Sequence, residues 1–250
     1  MTPSFRIKDA AATHVGNVRS ENEDSMLSVQ QAGVWLVADG MGGHAEGRYA
    51  SQTIAEAVGS ARLPEELDFA WDRVAGAIHD ANGRIFAKSL LIGKQIGSTV
   101  VALVVRGGEF VVLWAGDSRA YLLRDGALIQ LTRDHTQVEM MIERGLLSPE
   151  EAIDHPMKHV LARAVGVQET LELDAIKDAI VADDLFLLCS DGLYGVLSDD
   201  EIARHLREYG HEAGERLIAS VLERGAPDNV TVTLVAANEP TLLTLNGSQQ

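Results

Sequence analysis

Apolar residues along the chain fall into two patterns. Short runs rich in β-branched and aromatic residues predict strands over 33–38 (GVWLVA), 99–105, 109–115, 120–123, 127–131, 184–190 and 230–236. Arg106-Gly107-Gly108 and Arg124-Asp125-Gly126 each separate two such runs and read as tight hairpin turns. The second pattern has helical spacing. Leu67, Trp71, Val74, Ile78 and Ile85 fall on one face of a segment over 64–91, with Pro64 in its first turn. Another helix is expected after Gly47, with Ile54, Ala57 and Val58 turned inward. Ser148-Pro149-Glu150-Glu151 and Ser198-Asp199-Asp200-Glu201 have the form of capping boxes. The second opens a helix to about Tyr209, and a further helix covers 213–224. Strands come in hairpin-linked groups, not in strict alternation with helices, which predicts an α+β fold with antiparallel sheets.

No repeat, low-complexity block or Pro/Gly/Ser linker interrupts the interior. We therefore expect one domain over residues 1–240 and a frayed tail over 241–250. Apolar residues make up 46% and charged residues 23% of the 250, enough for a core of ordinary size. The net charge of −16 speaks against binding to nucleic acid or to anionic lipid, both of which draw on a basic surface. The N-terminus has no apolar signal core, and no run approaches the roughly 20 residues that span a bilayer. A cytoplasmic location is the expectation. Cys189 lies in the apolar run 185–189 with no His or Lys beside it to activate a thiolate, so it reads as a core residue, not a nucleophile.

The placement of the acids changes the picture most. Asp39, Asp117, Asp191 and Asp228 each stand at or near the end of an apolar run, beside Gly40, Gly116, Gly192 and Asn229. A glycine beside a carboxylate lets the backbone turn sharply or approach an ion closely. Converging carboxylates repel one another and raise each other's pKa unless cations intervene. Hard divalent cations such as Mg²⁺ and Mn²⁺ favour such oxygen donors. With Glu23 and Asp24 upstream, the spacing points to a binuclear metal site and to phosphoryl chemistry.

The segments that hold these acids occur in a recognisable order: 16–24 (GNVRSENED), 37–44 (VADGMGGH), Gly97-Ser98-Thr99, 116–120 (GDSRA), 131–135 (LTRDH), 190–193 (SDGL) and 228–231 (DNVT). Together they resemble the bacterial branch of the PP2C (PPM) family of metal-dependent serine/threonine protein phosphatases, from about Arg6 to Ala237. The resemblance implies a four-layer sandwich, two stacked antiparallel sheets with helices on both outer faces. It implies two tightly held Mn²⁺ or Mg²⁺ ions and a weaker third. Asp39 matches the carboxylate that bridges two metals, and the Gly40 carbonyl completes the second metal's shell. Asp191 and Asp228 match the ligands of the first metal. Glu23 and Asp24 act near the second through water, and Asp117 joins Asp191 at the third. Asn229 orients Asp228, and Arg19 grips the substrate phosphate, a task suited to a guanidinium fork.

The implied reaction is hydrolysis of phosphoserine or phosphothreonine by a hydroxide that the metals activate, without a phospho-enzyme. The implied partners are a bacterial Ser/Thr kinase and its targets, with the chain acting as a monomer. One departure stands out. Many eukaryotic relatives carry a histidine, proposed as the acid, directly after the Asp-Gly pair. This chain has Met41 there, and His44 lies three residues further on. The stretch over 136–164 matches a mobile flap, in which Met140, Met141, Leu146 and Leu147 either offer a peptide-binding surface or form the buried stripe of an ordinary helical insertion. Three other readings fit less well: a narrow-specificity regulator phosphatase, whose fused sensory domains have no counterpart here; a pseudophosphatase, which would lack metal ligands; and a non-catalytic metal-binding structural protein, which would have no use for Arg19.

Overall fold

In the computed structural model, which describes residues 5–43, 45–152 and 155–239, the short strands assemble into two antiparallel sheets. The first contains, in spatial order, β1 (Arg6–His14), β11 (Val230–Asn238), β10 (Asp184–Cys189), β7 (Arg119–Arg124) and β8 (Ala127–Gln130). The second runs β2 (Asp24–Val29), β3 (Val34–Met41), β5 (Val100–Arg106), β6 (Glu109–Ala115) and β9 (Asp174–Ala179), and a short β4 (Gly97–Ser98) pairs with the end of β3. Helices α1 (Ala45–Gly59) and α2 (Leu67–Ile92) cover the outer face of the second sheet. Helices α6 (Asp199–Tyr209) and α7 (Gly214–Glu223) cover the first. Two short helices, α3 (Gln137–Glu143) and α4 (Pro149–Ala152), lie between β8 and β9, and α5 (Asp191–Tyr194) follows β10.

This layering explains why the predicted runs are continuously apolar. On β3, Val34, Leu36 and Ala38 face the helices, while Trp35 and Val37 face the other sheet. A strand buried on both faces has no polar side to alternate with. The seam between the sheets is filled by Trp35, Leu103 and Phe110 from one side and Leu122, Phe186 and Leu188 from the other. Phe110 and Phe186 meet edge to face, with centroids 4.8 Å apart.

Both expected hairpins form. In the β7–β8 loop Asp125 and Gly126 adopt φ of 51° and 76°, the paired left-handed residues that a two-residue turn between right-twisted strands requires. The Ser198 capping box is present at the start of α6, and Ser148 with Glu151 makes the reciprocal pair at α4. Other expectations need correction. The long helix starts at Leu67 rather than at Pro64, and the one expected after Gly47 already starts at Ala45. The strand predicted to stop at Ala38 continues through Asp39 to Met41, because β4 supplies hydrogen-bonding partners for Gly40 and Met41. Strands β1, β2, β4 and β9 were not predicted at all. The tail over 241–250 lies outside the described residues, and no helix among those described is long and apolar enough to cross a membrane.

One buried ion pair holds the strand that leads into the site. Asp184, fully buried at the start of β10, accepts from Arg124 Nε at 2.8 Å and Nη2 at 2.7 Å, and from the Val181 N–H at 2.8 Å. Removing one partner leaves a buried charge uncompensated. Arg124→Met should therefore cost about 3 kcal/mol of folding stability in urea titrations. A loss under about 1 kcal/mol would mean that water replaces the guanidinium.

Candidate active site

The strands of both sheets end at one side of the molecule, and the predicted acids gather there. Asp39 ends the buried part of β3, and Asp117 follows β6, which runs parallel to β3 two strands away. Asp191 follows β10, and Asp228 precedes its antiparallel neighbour β11. All four, with Glu23, Gly40, Asn229 and Arg19, line one cavity of about 920 Å³. Asp24 does not line it.

The backbone around each acid is fixed. The Asp39 N–H donates to Thr99 Oγ1 at 3.0 Å, and the Thr99 N–H donates to Asp39 O at 2.9 Å. Thr99 Oγ1 also bonds Ser118 Oγ at 2.6 Å, which links the Asp39 and Asp117 segments. The Tyr194 hydroxyl donates to Asp117 O at 2.8 Å. Gly40 and Gly192 serve close packing more than turning: a Cβ on Gly40 would sit 2.1 Å from Gly47 O, and one on Gly192 1.9 Å from Asn229 O.

Asn229 carries more structure than its expected role. Its side-chain amide donates to Val15 O at 2.9 Å and Glu21 O at 3.0 Å, and its carbonyl accepts from the Glu23 N–H at 2.8 Å. It thereby staples the loop that bears Arg19 and Glu23 onto the start of β11. Its own N–H donates to Asp228 Oδ1 at 2.9 Å, which orients that carboxylate. Arg19 is half exposed at the mouth, where Nη2 donates to Asp228 Oδ2 at 2.7 Å.

Asp24 sits behind the cavity. Its Oδ2 accepts from Ser190 Oγ at 2.8 Å and Thr231 Oγ1 at 2.6 Å, while Oδ1 is buried without a partner. Burial pushes its pKa up to about 7 against the pull of the two hydroxyls. Burial likewise pushes Asp117 up to about 8, with the charges of Asp191 and Asp134 adding to it. Asp39 is raised well above the usual carboxylate range by burial, then by Asp24, Asp191, Asp117 and Asp228. Asp191 is raised by burial and by Asp228, and it lies within hydrogen-bonding reach of Asp39. So many strained acids at one place call for positive charge.

The donor set fits hard divalent cations. It is all oxygen, it is over-supplied with negative charge, and Asp191 Oδ1 is buried with no partner. The acids ring the cavity instead of closing on one point: among the described residues, no three His, Cys, Asp or Glu groups are gathered to enclose a cation alone.

The sequence profile described as Protein phosphatase 2C matches residues 13–224. The chain belongs to that family. It is 36% identical over 231 residues to the serine/threonine protein phosphatase PstP of Mycobacterium tuberculosis, covering 91% of this chain and 44% of that protein. The chain thus spans less than half of that relative's length. It is 33% identical over 240 residues to the serine/threonine phosphatase stp of Listeria welshimeri, covering 90% of this chain and 94% of that one. Among solved structures, PppA of Pseudomonas aeruginosa superposes with a TM-score of 0.87 at 38% identity, covering 94% of this chain and 99% of that chain. The PstP catalytic domain, solved with two manganese ions, superposes at 0.83 and 34% identity, covering 94% and 100%.

Within this PP2C-family cavity some expectations shift. Met41 lines it and offers no proton, and His44 lies outside the described residues. The side chains expected to form a peptide surface, Met140, Met141, Leu146 and Leu147, do not line it; the flap contributes residues 159–164 instead. Of these, Arg163 donates to Asp174 Oδ1 at 2.6 Å. Sequence reasoning assigned no role to Thr99, Ser190, Thr231 or Tyr194. The first three lie inside quoted motifs, so the signal was the motif itself; Tyr194 is one residue past the SDGL segment and had none.

Proposed function

We propose that this PP2C-family chain hydrolyses phosphoserine and phosphothreonine in proteins, with residues 1–240 forming one phosphatase domain. The observation that supports this best is the convergence of Asp39, Asp117, Asp191 and Asp228 on one cavity with Arg19 at its mouth. Asp39, the Gly40 carbonyl, Asp191 and Asp228 would hold two Mn²⁺ or Mg²⁺ ions. Asp117 with Asp191 would hold a weaker third, and Glu23 would act through water. Asp24 would act from behind, by fixing Ser190 and Thr231 under Asp191 and β11. Divalent cations bound there supply Lewis acidity, lowering the pKa of water and offsetting phosphate charge.

The chain's own residues do the rest. Arg19 can leave Asp228 for a phosphate dianion and present two N–H donors to it. The stapled loop and the Thr99 bonds keep the groups in place before substrate arrives. The one cysteine is not placed to serve as a nucleophile: Cys189 is buried within β10, and burial pushes its thiol far up. Phosphorylated targets of a bacterial Ser/Thr kinase, met in the cytoplasm, are the natural substrates.

The deciding experiment is hydrolysis of a phosphothreonine peptide with Mn²⁺, with and without EDTA. Turnover that survives exhaustive chelation would sink the metal-dependent reading. In the same assay Arg19→Ala should raise KM about tenfold with little change in kcat, because the phosphate is gripped similarly in ground and transition states. A large kcat loss at unchanged KM would place Arg19 in the transition state instead.

A further inference from the structure

The flap residues that wall the cavity pair with 135–137 on one edge and leave the other edge open at Leu161. Thr136 and Leu161 face each other in an isolated antiparallel bridge. The Gln137 N–H donates to Val160 O at 2.8 Å, and the Ala162 N–H donates to His135 O at 2.7 Å. In this pattern Thr136 and Leu161 are the non-hydrogen-bonded pair, so their own N–H and C=O groups turn away from each other. On the Thr136 side the carbonyl is taken by the Met140 N–H at 3.1 Å, at the start of α3. On the Leu161 side neither the N–H nor the C=O has a hydrogen-bond partner among the described residues.

That open edge is rigidly held. Four residues on, Val165 exchanges two hydrogen bonds with Ser98, at 3.0 and 2.8 Å, and Ser98 in turn pairs with Gly40 beside Asp39. Between the two anchors the Arg163 side chain is tied to Asp174. Leu161 itself lines the cavity that contains Arg19 and the aspartates. A fixed strand edge with a free donor and acceptor is the element to which an extended peptide adds as a further strand.

We propose that Leu161 is the backbone docking point for protein substrates: a residue close to the phosphorylated one exchanges two main-chain hydrogen bonds with it. This rests on the phosphatase reading and adds the substrate's conformation to it, an extended segment recognised through its backbone. Main-chain recognition is indifferent to side chains, which suits an enzyme serving many phosphorylated sequences. Val160, exposed beside it, offers the adjoining apolar contact.

Two series test this. The first uses the unaltered protein and one phosphothreonine peptide, methylated at one backbone nitrogen at a time on either side of the phosphothreonine. One position should raise KM about fivefold at constant kcat, as expected for a lost hydrogen bond, with the others near unity. The second uses Leu161→Pro, which deletes the unpaired N–H, compared with Leu161→Ala, which alters the side chain but keeps that N–H. Relative to Leu161→Ala, it should raise the peptide KM about fivefold more than it raises the KM for p-nitrophenyl phosphate. A methylation series with no sensitive position overturns the proposal, as does an unchanged peptide KM in a folded Leu161→Pro protein. If that variant does not fold, the methylation series decides alone. Failure of the unaltered protein to hydrolyse either substrate with Mn²⁺ would instead overturn the phosphatase reading.

Discussion

Asp39→Asn should lower kcat/KM on a phosphothreonine peptide by about 10³-fold, equivalent to about 4 kcal/mol of transition-state stabilisation. The substitution keeps the side chain's shape, and the backbone bonds to Thr99 on either side are untouched. What it removes is one negative charge at the point where four other acids press on Asp39. Two further readouts separate this from misfolding. Without metal the variant should melt at a higher temperature than the parent at pH 8, because a repelled charge is gone. With Mn²⁺ it should gain less stability than the parent, because a ligand is gone. Near-parental turnover with saturating metal would remove Asp39 from the reaction.

The second large effect is the pH dependence of the metal-free protein. Asp24 and Asp117 titrate near about 7 and about 8 in the folded chain, and Asp39 and Asp191 are also raised. In the unfolded chain all four titrate near about 4. The sign follows. Below about pH 4 both states carry these protons, and there is no difference. Between about pH 4 and about pH 8 the unfolded chain has lost its protons and the folded chain still holds them. The folded state then binds more protons, so stability falls as pH rises. We expect the Tm of EDTA-treated protein to drop by at least about 5 °C from pH 5 to pH 8. Excess Mn²⁺ at pH 8 should restore it, with protons released on binding. Asp24→Asn should flatten the slope without lining the cavity differently. A Tm that is level or rising over this range would show that the acids are not held protonated in the absence of metal.

How much of this was legible in the sequence depended on burial. The strands read correctly, β3, β5, β6, β7, β10 and β11, all lie between two neighbours in a sheet, and most are covered on both faces, so their runs are apolar. Of those missed, β1, β2 and β9 are edge strands, and β4 is two residues long. β9 has five exposed residues among its six and carries almost no apolar signal. β1 turns mostly alanine toward the core, which reads as neither helix nor strand. The fourth edge, β8, was found only because Asp125-Gly126 announced its hairpin. In the site, acids beside glycines were visible, and their motifs gave the family. The supporting shell was not, because Ser190, Thr231 and Tyr194 act through contacts that join distant stretches: Thr231 and Asp24 touch across 207 positions.

The pairing of β1 with β11 also governs the order in which the chain can assemble. Thr13 and Thr231 are neighbours in that ladder although 218 positions separate them. β11 also lies between β1 and β10, so until it leaves the ribosome the first sheet has a gap in its middle. Asp228 and Asn229 emerge immediately before it, and without Asn229 the Arg19 loop has no staple. A nascent chain can therefore assemble the second sheet with α1 and α2 early, while Arg19 and Asp228 stay apart. Arg19 and the cavity's acids come together last, when the closing strand threads into place.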